Sequence, residues 1–271
     1  MDSKPQGKQR IYLWDNLKII LILFVVIHHA SIPYVAIKGQ HWTEDLYMLI
    51  IPFTMSTFTM ISGYWFKQRP LGVIIKRYLF PCLLMIFLMY GLTTFWQNPP
   101  AIKYYRWRFD AMWYLWVLFI YCLITPKLLK YDFKVLLSAS VFLSLVAGFF
   151  PFIGGAFSLS RMIGFYPFFL LGIKMSQSGK VDGWIRDKRA VRWARVIFVV
   201  TMLLFLLLFY YYRPISLNIS FNHDYAGNWH KMLQRAFTYV VCVVLSISLI
   251  VSMPNRVCMT FFAHFLFLVK I

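Results

Sequence analysis

The chain has 271 residues, of which 61% are hydrophobic, 20% aromatic and only 14% charged, with a formal charge of +19 and a mean hydropathy of +0.65. A soluble domain is roughly half apolar and about a quarter charged, so this composition excludes one and indicates an integral membrane protein. The basic residues lie between apolar runs rather than on one polar face, which argues against a nucleic-acid partner.

The apolar runs are continuous over roughly 20 residues, the length of a membrane-crossing helix, rather than alternating over about ten as in a barrel. The sequence therefore predicts an all-α, polytopic, single membrane domain over residues 1–271. Its spans fall near 17–37, 46–66, 74–96, 111–129, 133–150, 161–176, 194–212 and 232–252, with a ninth over 257–271. The first run is too long for a cleavable leader and no small-residue cleavage site follows it, so it reads as a retained span. The ninth stops without a polar flank, which predicts either a short last helix or a chain cut short at its carboxy end.

With the amino terminus placed in the cytoplasm, more than twice as many Lys and Arg fall in inner segments as in outer ones. Positive residues favour the cytoplasmic side, so the amino terminus is expected inside, in a plasma or bacterial-type inner membrane. The four cysteines, Cys82, Cys122, Cys242 and Cys258, are scattered through apolar sequence. Their spacing suggests neither a metal site nor a disulfide framework. The polar stretch 213–231 is expected outside; His223, Asp224, Asn228, Trp229 and His230 give it the composition of a sugar-binding surface.

The first span, "RIYLWDNLKIILILFVVIHHASIPY", holds the strongest chemical signal. Lys18 and His29 are 11 residues apart, about three helical turns plus 20°, so they share one face some 16 Å apart along the axis. His28 lies about 80° away. An ionisable group in the hydrocarbon is costly and faces the bundle interior or a wet cavity. A cation at the mouth and an imidazole at mid-depth suit a substrate channel ending in a base.

That stretch is also where the chain resembles a known family. "RIYLWDNLKII" followed by His29 is similar to the opening of membrane acyltransferase family 3, in particular its fucose 4-O-acetylase-like branch. "FTMISGYWFK" (58–67), "IKRYLFP" (75–81), "AMWYLWVLFIY" (111–121) and "SRMIGFYPFFLLGIKM" (160–175) resemble its later blocks, in order. Two places depart from the pattern. Many members have Arg-x-x-Arg before the proline, whereas Lys76 and Arg77 are adjacent here and Phe80 stands where the second arginine would be. The late stretch of the family is not recognisable around His264.

The resemblance implies an O-acyltransferase that moves an acyl group, usually acetyl from cytoplasmic acetyl-CoA, to a hydroxyl of a glycan or lipid-linked sugar of the cell envelope. No bound cofactor is expected, and acetyl-CoA enters as a substrate. Arg69, Lys76 and Arg77 are then the expected ligands of the donor's phosphates, with Lys18 assisting. His29 is the expected base or covalent acyl carrier. Arg161, Ser62 or Tyr64 are candidates for the acceptor site or the oxyanion. Two other functions share the composition: a transporter or flippase with Lys18 and His29 along its path, and a non-catalytic partner in glycan assembly. Matched broken helices, a transporter sign, are not evident, and acidic residues within the spans are absent.

Overall fold

Apolar runs bounded by prolines, glycines and charge clusters become helices in the computed structural model, which describes residues 12–35, 41–96, 112–153, 156–211, 221, 225 and 227–255. Helix α1 is Tyr12–Val35 and α2 is His41–Tyr64. Then α3 (Leu71–Ile74), a π-helical turn (Ile75–Leu79) and α4 (Phe80–Trp96) follow as one run. After them come α5 (Trp113–Leu128), α6 (Phe133–Ala147), α7 (Leu159–Ser178) and α8 (Lys180–Arg186). The last two are α9 (Lys188–Tyr211) and α10 (His230–Ser252). No strand occurs among the described residues.

Eight of the expected spans coincide with helices, and the ninth lies outside the described residues. Among the described residues, four stretches are long and apolar enough to cross a bilayer: Tyr12–Ser31, Leu71–Met89, Lys188–Tyr211 and His230–Ser252. Leu49–Tyr64, Trp113–Leu128 and Phe133–Ala147 are shorter apolar helices. The helix over 188–211 begins six residues before its expected span, taking in Lys188, Arg189 and Arg192. Lysine and arginine are good helix formers whose stems lie along apolar surface, so a charge cluster need not end a helix.

The boundaries have local causes. Pro70 precedes α3, and the chain from Trp65 to Pro70 is non-helical. Pro81 has no N–H for the carbonyl four residues back and its ring crowds that carbonyl. The helix widens there, and Phe80 N–H donates to the Ile75 carbonyl five residues behind. Asp132 caps α6, its carboxylate accepting from the N–H groups of Lys134 and Val135. Gly179, at φ 62°, makes the left-handed turn between α7 and α8 that a side chain would resist.

At the centre, α2 and α7 pack more extensively than any other pair, with α1 and α10 also against α2. The approach is set by two glycines. A Cβ on Gly63 would lie 2.0 Å from the Phe169 carbonyl oxygen, and one on Gly172 2.0 Å from that of Met60. Small residues that let backbones touch are how helices associate in lipid, where burial gives little drive. Hydroxyls add interhelical bonds: Ser56 to Ser246 at 2.9 Å, and Tyr121 donating to the Met162 carbonyl at 2.6 Å. The start of α1 is tied to the chain beyond α10, with Asn16 Nδ2 donating to the Pro254 carbonyl at 3.0 Å. Outward, α4 exposes Phe80, Phe87 and Phe95, and α9 exposes Leu203, Leu204 and Leu207. Apolar faces of that extent suit lipid rather than water.

Candidate active site

A cavity of about 340 Å³ opens between α1, the last turn of α2 with the segment after it, the π-helical turn and α5. Lys18, Lys67, Arg69 and Arg77 bring four cations to its wall, and Ser62, Tyr78 and Cys122 add two hydroxyls and a thiol. Ile61, Phe66, Ile74, Leu118 and Phe169 supply the apolar lining. Local chemistry explains the assembly. The widened turn before Pro81 carries Arg77 and Tyr78 onto the cavity, with the Arg77 guanidinium 5.6 Å from the centre of the Tyr78 ring. Departures of this kind from α-helix are frequent at functional sites. Gly63 turns its bare side to α7, and the neighbouring Ser62 reaches the cavity and the Tyr114 hydroxyl at 2.8 Å.

Farther along α1 lies a second cluster. Lys18, Ile22 and His29 fall within about 40° on one helix face, and all three are exposed, so this face is not covered by a neighbouring helix among the described residues. His29 Nδ1 donates to the Val25 carbonyl one turn back, at 2.8 Å. A carbonyl only accepts, so in the neutral ring Nε2 is the nitrogen with the free lone pair. His28 is half-buried with its ring 5.2 Å from that of His29. Arg161, on the first turn of α7, lies over the Trp113 ring at 5.1 Å, close enough for its charge to act on His28. The residues before it, Phe157 and Ser158, take φ values of 51° and 54°, a region uncommon for such side chains. Trp116 Nε1 holds that strained entrance by donating to the Phe157 carbonyl at 3.1 Å.

The structure thus divides the sequence candidates. Lys18, Ser62, Arg69 and Arg77 share the cavity wall; His29 and Arg161 belong to the second cluster; Lys76 is exposed and outside the cavity lining. Tyr64 faces away from Ser62, packed on Trp14 at 4.4 Å between ring centres and facing the Asp182 carboxylate. Sequence reasoning passed over Lys67, Trp65, Tyr78 and Cys122 in the cavity, and Tyr114 and Trp113 beside it. Lys67 and Trp65 sit within the quoted block 58–67, and a search for aromatic and basic residues past a helix end would have found them.

The first turns of α10 hold a buried cation. Arg235, expected as a flanking charge, is fully buried and donates from Nη1 to the Ser144 carbonyl at 2.8 Å. Its guanidinium lies 4.9 Å from the centre of the Tyr225 ring. Part of the stretch expected to be solvated turns inward there. Phe221 and Tyr225 are buried, and the Tyr225 hydroxyl donates to the Leu145 carbonyl at 2.8 Å. Of the proposed sugar surface, Asn228, Trp229 and His230 are exposed, while His223 and Asp224 lie outside the described residues.

A bundle that is all-helical over the described residues, with bilayer-length apolar helices and lipid-suited outer faces, is a membrane protein. The sequence profile of an acyltransferase domain, that of membrane acyltransferase family 3, matches residues 11–271, and the chain belongs to that family. No curated protein and no solved structure gives a significant match.

Proposed function

We propose that this membrane acyltransferase is an O-acetyltransferase of the fucose 4-O-acetylase-like branch, taking acetyl from cytoplasmic acetyl-CoA to a hydroxyl of an envelope glycan or lipid-linked sugar. One observation carries the reading: a single open face of α1 presents Lys18, in the wall of a four-cation cavity, and His29, whose Nδ1 is committed to its own helix. The cavity end is the cytoplasmic end, in keeping with the excess of basic residues on that side. Arg77, Arg69 and Lys67 take the phosphates of the donor, as guanidinium and ammonium groups do when water is partly excluded. The pantetheine arm then runs along α1 from Lys18 towards His29.

At His29, Nε2 accepts the proton of the acceptor hydroxyl while that oxygen attacks the thioester carbonyl. The tetrahedral oxyanion collapses, the C–S bond breaks, and the departing thiolate takes the proton back from Nε2. The Val25 carbonyl holds the ring in the tautomer this requires. Arg161, whose charge acts on His28, is the residue we assign to stabilise the oxyanion or an anionic acceptor. Ser62 belongs to the donor cavity, with the Tyr114 hydroxyl beside it at 2.8 Å.

The test is transfer of labelled acetyl from acetyl-CoA to envelope glycans, in membranes carrying the parent chain or its His29→Ala form. Label is expected with the parent, and at least about 100-fold less with the variant at equal protein, the scale of a lost general base. Equal label from both would remove His29 from the chemistry. No label from the parent would remove acetyl-CoA as donor.

A further inference from the structure

Trp65 has no part in the chemistry described so far, yet it lines the donor cavity and leaves 49% of its surface open. It stands just past the last turn of α2, in the non-helical stretch that Pro70 ends. In that stretch Trp65, Lys67 and Arg69, each two residues from the next, all reach the cavity. The indole is held from behind. Trp14, which is buried, meets it at 79° with ring centres 5.9 Å apart, and Tyr64 meets it at 73° and 5.5 Å. Both contacts are edge-to-face rather than stacked, and about half of the indole, 49%, stays open. The result is a fixed flat apolar surface, partly open, with two cations beside it on the same strip of chain.

A tryptophan at a membrane surface is often an interfacial anchor, and such an anchor has no need of a cavity or of cations in register with it. A purine nucleotide matches the arrangement. Its base offers a flat π-face, for which aromatic stacking is a strong and sequence-tolerant contact, and its phosphates need cations one residue's reach away. Resting on the donor reading above, we propose that Trp65 is the platform on which the adenine of the acyl donor stacks, with Lys67 and Arg69 meeting the adjoining phosphates. Trp14 and Tyr64 are positioning residues that keep the indole upright. The subsite makes the enzyme select a donor by its nucleotide handle, remote from the thioester.

The experiment is equilibrium binding to the purified full-length chain in lipid nanodiscs, with two probes: coenzyme A and 4′-phosphopantetheine, which lacks the adenosine together with the two phosphates it carries. The parent is expected to bind coenzyme A more tightly. Trp65→Leu, which keeps apolar bulk, is expected to weaken coenzyme A by roughly tenfold while phosphopantetheine stays within about twofold, which also shows that the variant is folded. Trp65→Phe, which keeps a ring, is expected to retain coenzyme A within about threefold. Equal losses for the two probes in both variants, or no loss for either, would overturn the platform and leave Trp65 an interfacial anchor. A parent that binds phosphopantetheine as tightly as coenzyme A would overturn it too, while leaving the donor reading in place. A parent that binds neither probe would remove the donor reading and the platform with it.

Discussion

Arg77 and Arg235 are both guanidinium groups laid on tyrosine rings, 5.6 Å from the centre of Tyr78 and 4.9 Å from that of Tyr225. Their surroundings put them to opposite uses. Arg235 is fully enclosed: the Ser144 carbonyl accepts from it, Tyr225 and Phe221 lie beneath it, and the Tyr239 hydroxyl shares a 2.5 Å hydrogen bond with Ser144 next to it. These contacts join chain to chain, so the guanidinium fastens Phe221 and Tyr225 to α6 and α10. Arg77 stands on a widened helical turn facing a cavity with three further cations. Like charges gathered around an open space repel unless an anion joins them, whereas Arg235 is sealed from solvent, with a carbonyl and aromatic faces against its guanidinium. The same residue type, in the same aromatic setting, is therefore structural at one end and available to a ligand at the other.

The contrast can be broken from either side. Arg235→Ala empties buried volume and removes the donor to Ser144, which should cost about 2–4 kcal/mol. Thermal unfolding in detergent should show a clear drop in Tm, with the Michaelis constant for acetyl-CoA unchanged in the folded fraction. A lasting rise in that constant would mean that Arg235 serves the substrate after all. Arg77→Ala should do the reverse. Loss of one charge-assisted contact to phosphate is worth about tenfold in the Michaelis constant for the donor, with the unfolding midpoint little changed. If the constant holds and the midpoint falls, Arg77 is a second fastener and the contrast fails. The smallest effect is expected one residue earlier: Lys76→Ala, on the exposed side of the same turn, should move the donor constant by less than about threefold. A change equal to that at Arg77 would show that the turn presents both side chains to the donor.

Much of the helical layout was legible because long apolar runs act locally, and an 11-residue spacing fixes a shared helix face whatever packs against it. The candidate site was legible only in pieces. Lys18, Ser62 and Arg77 could each be named from the quoted blocks and Arg69 from the basic residues between two of them, but their convergence on one cavity depends on how α1, α2 and the π-helical turn meet. Lys76 and Arg77 are neighbours in sequence and part company in space, because adjacent helix positions point about 100° apart. Tyr114 and Cys122 carried no local signal, being ordinary residues in an aromatic span until α5 docks beside Ser62 and Tyr78.

What the sequence by itself determined is the solvent and the family: a composition that only lipid accommodates, helices of bilayer length, and a set of ordered blocks that mark an acyltransferase domain. The tertiary structure decided which cations meet, which one is sealed and which nitrogen of His29 is bare. Those outcomes hang on contacts between residues far apart in the chain, such as Gly63 against Phe169 and Arg235 against Ser144. The exception is the Val25 carbonyl beneath His29: its i−4 position was implicit in the helix, but only the side chain's rotamer, chosen in the folded bundle, makes the bond.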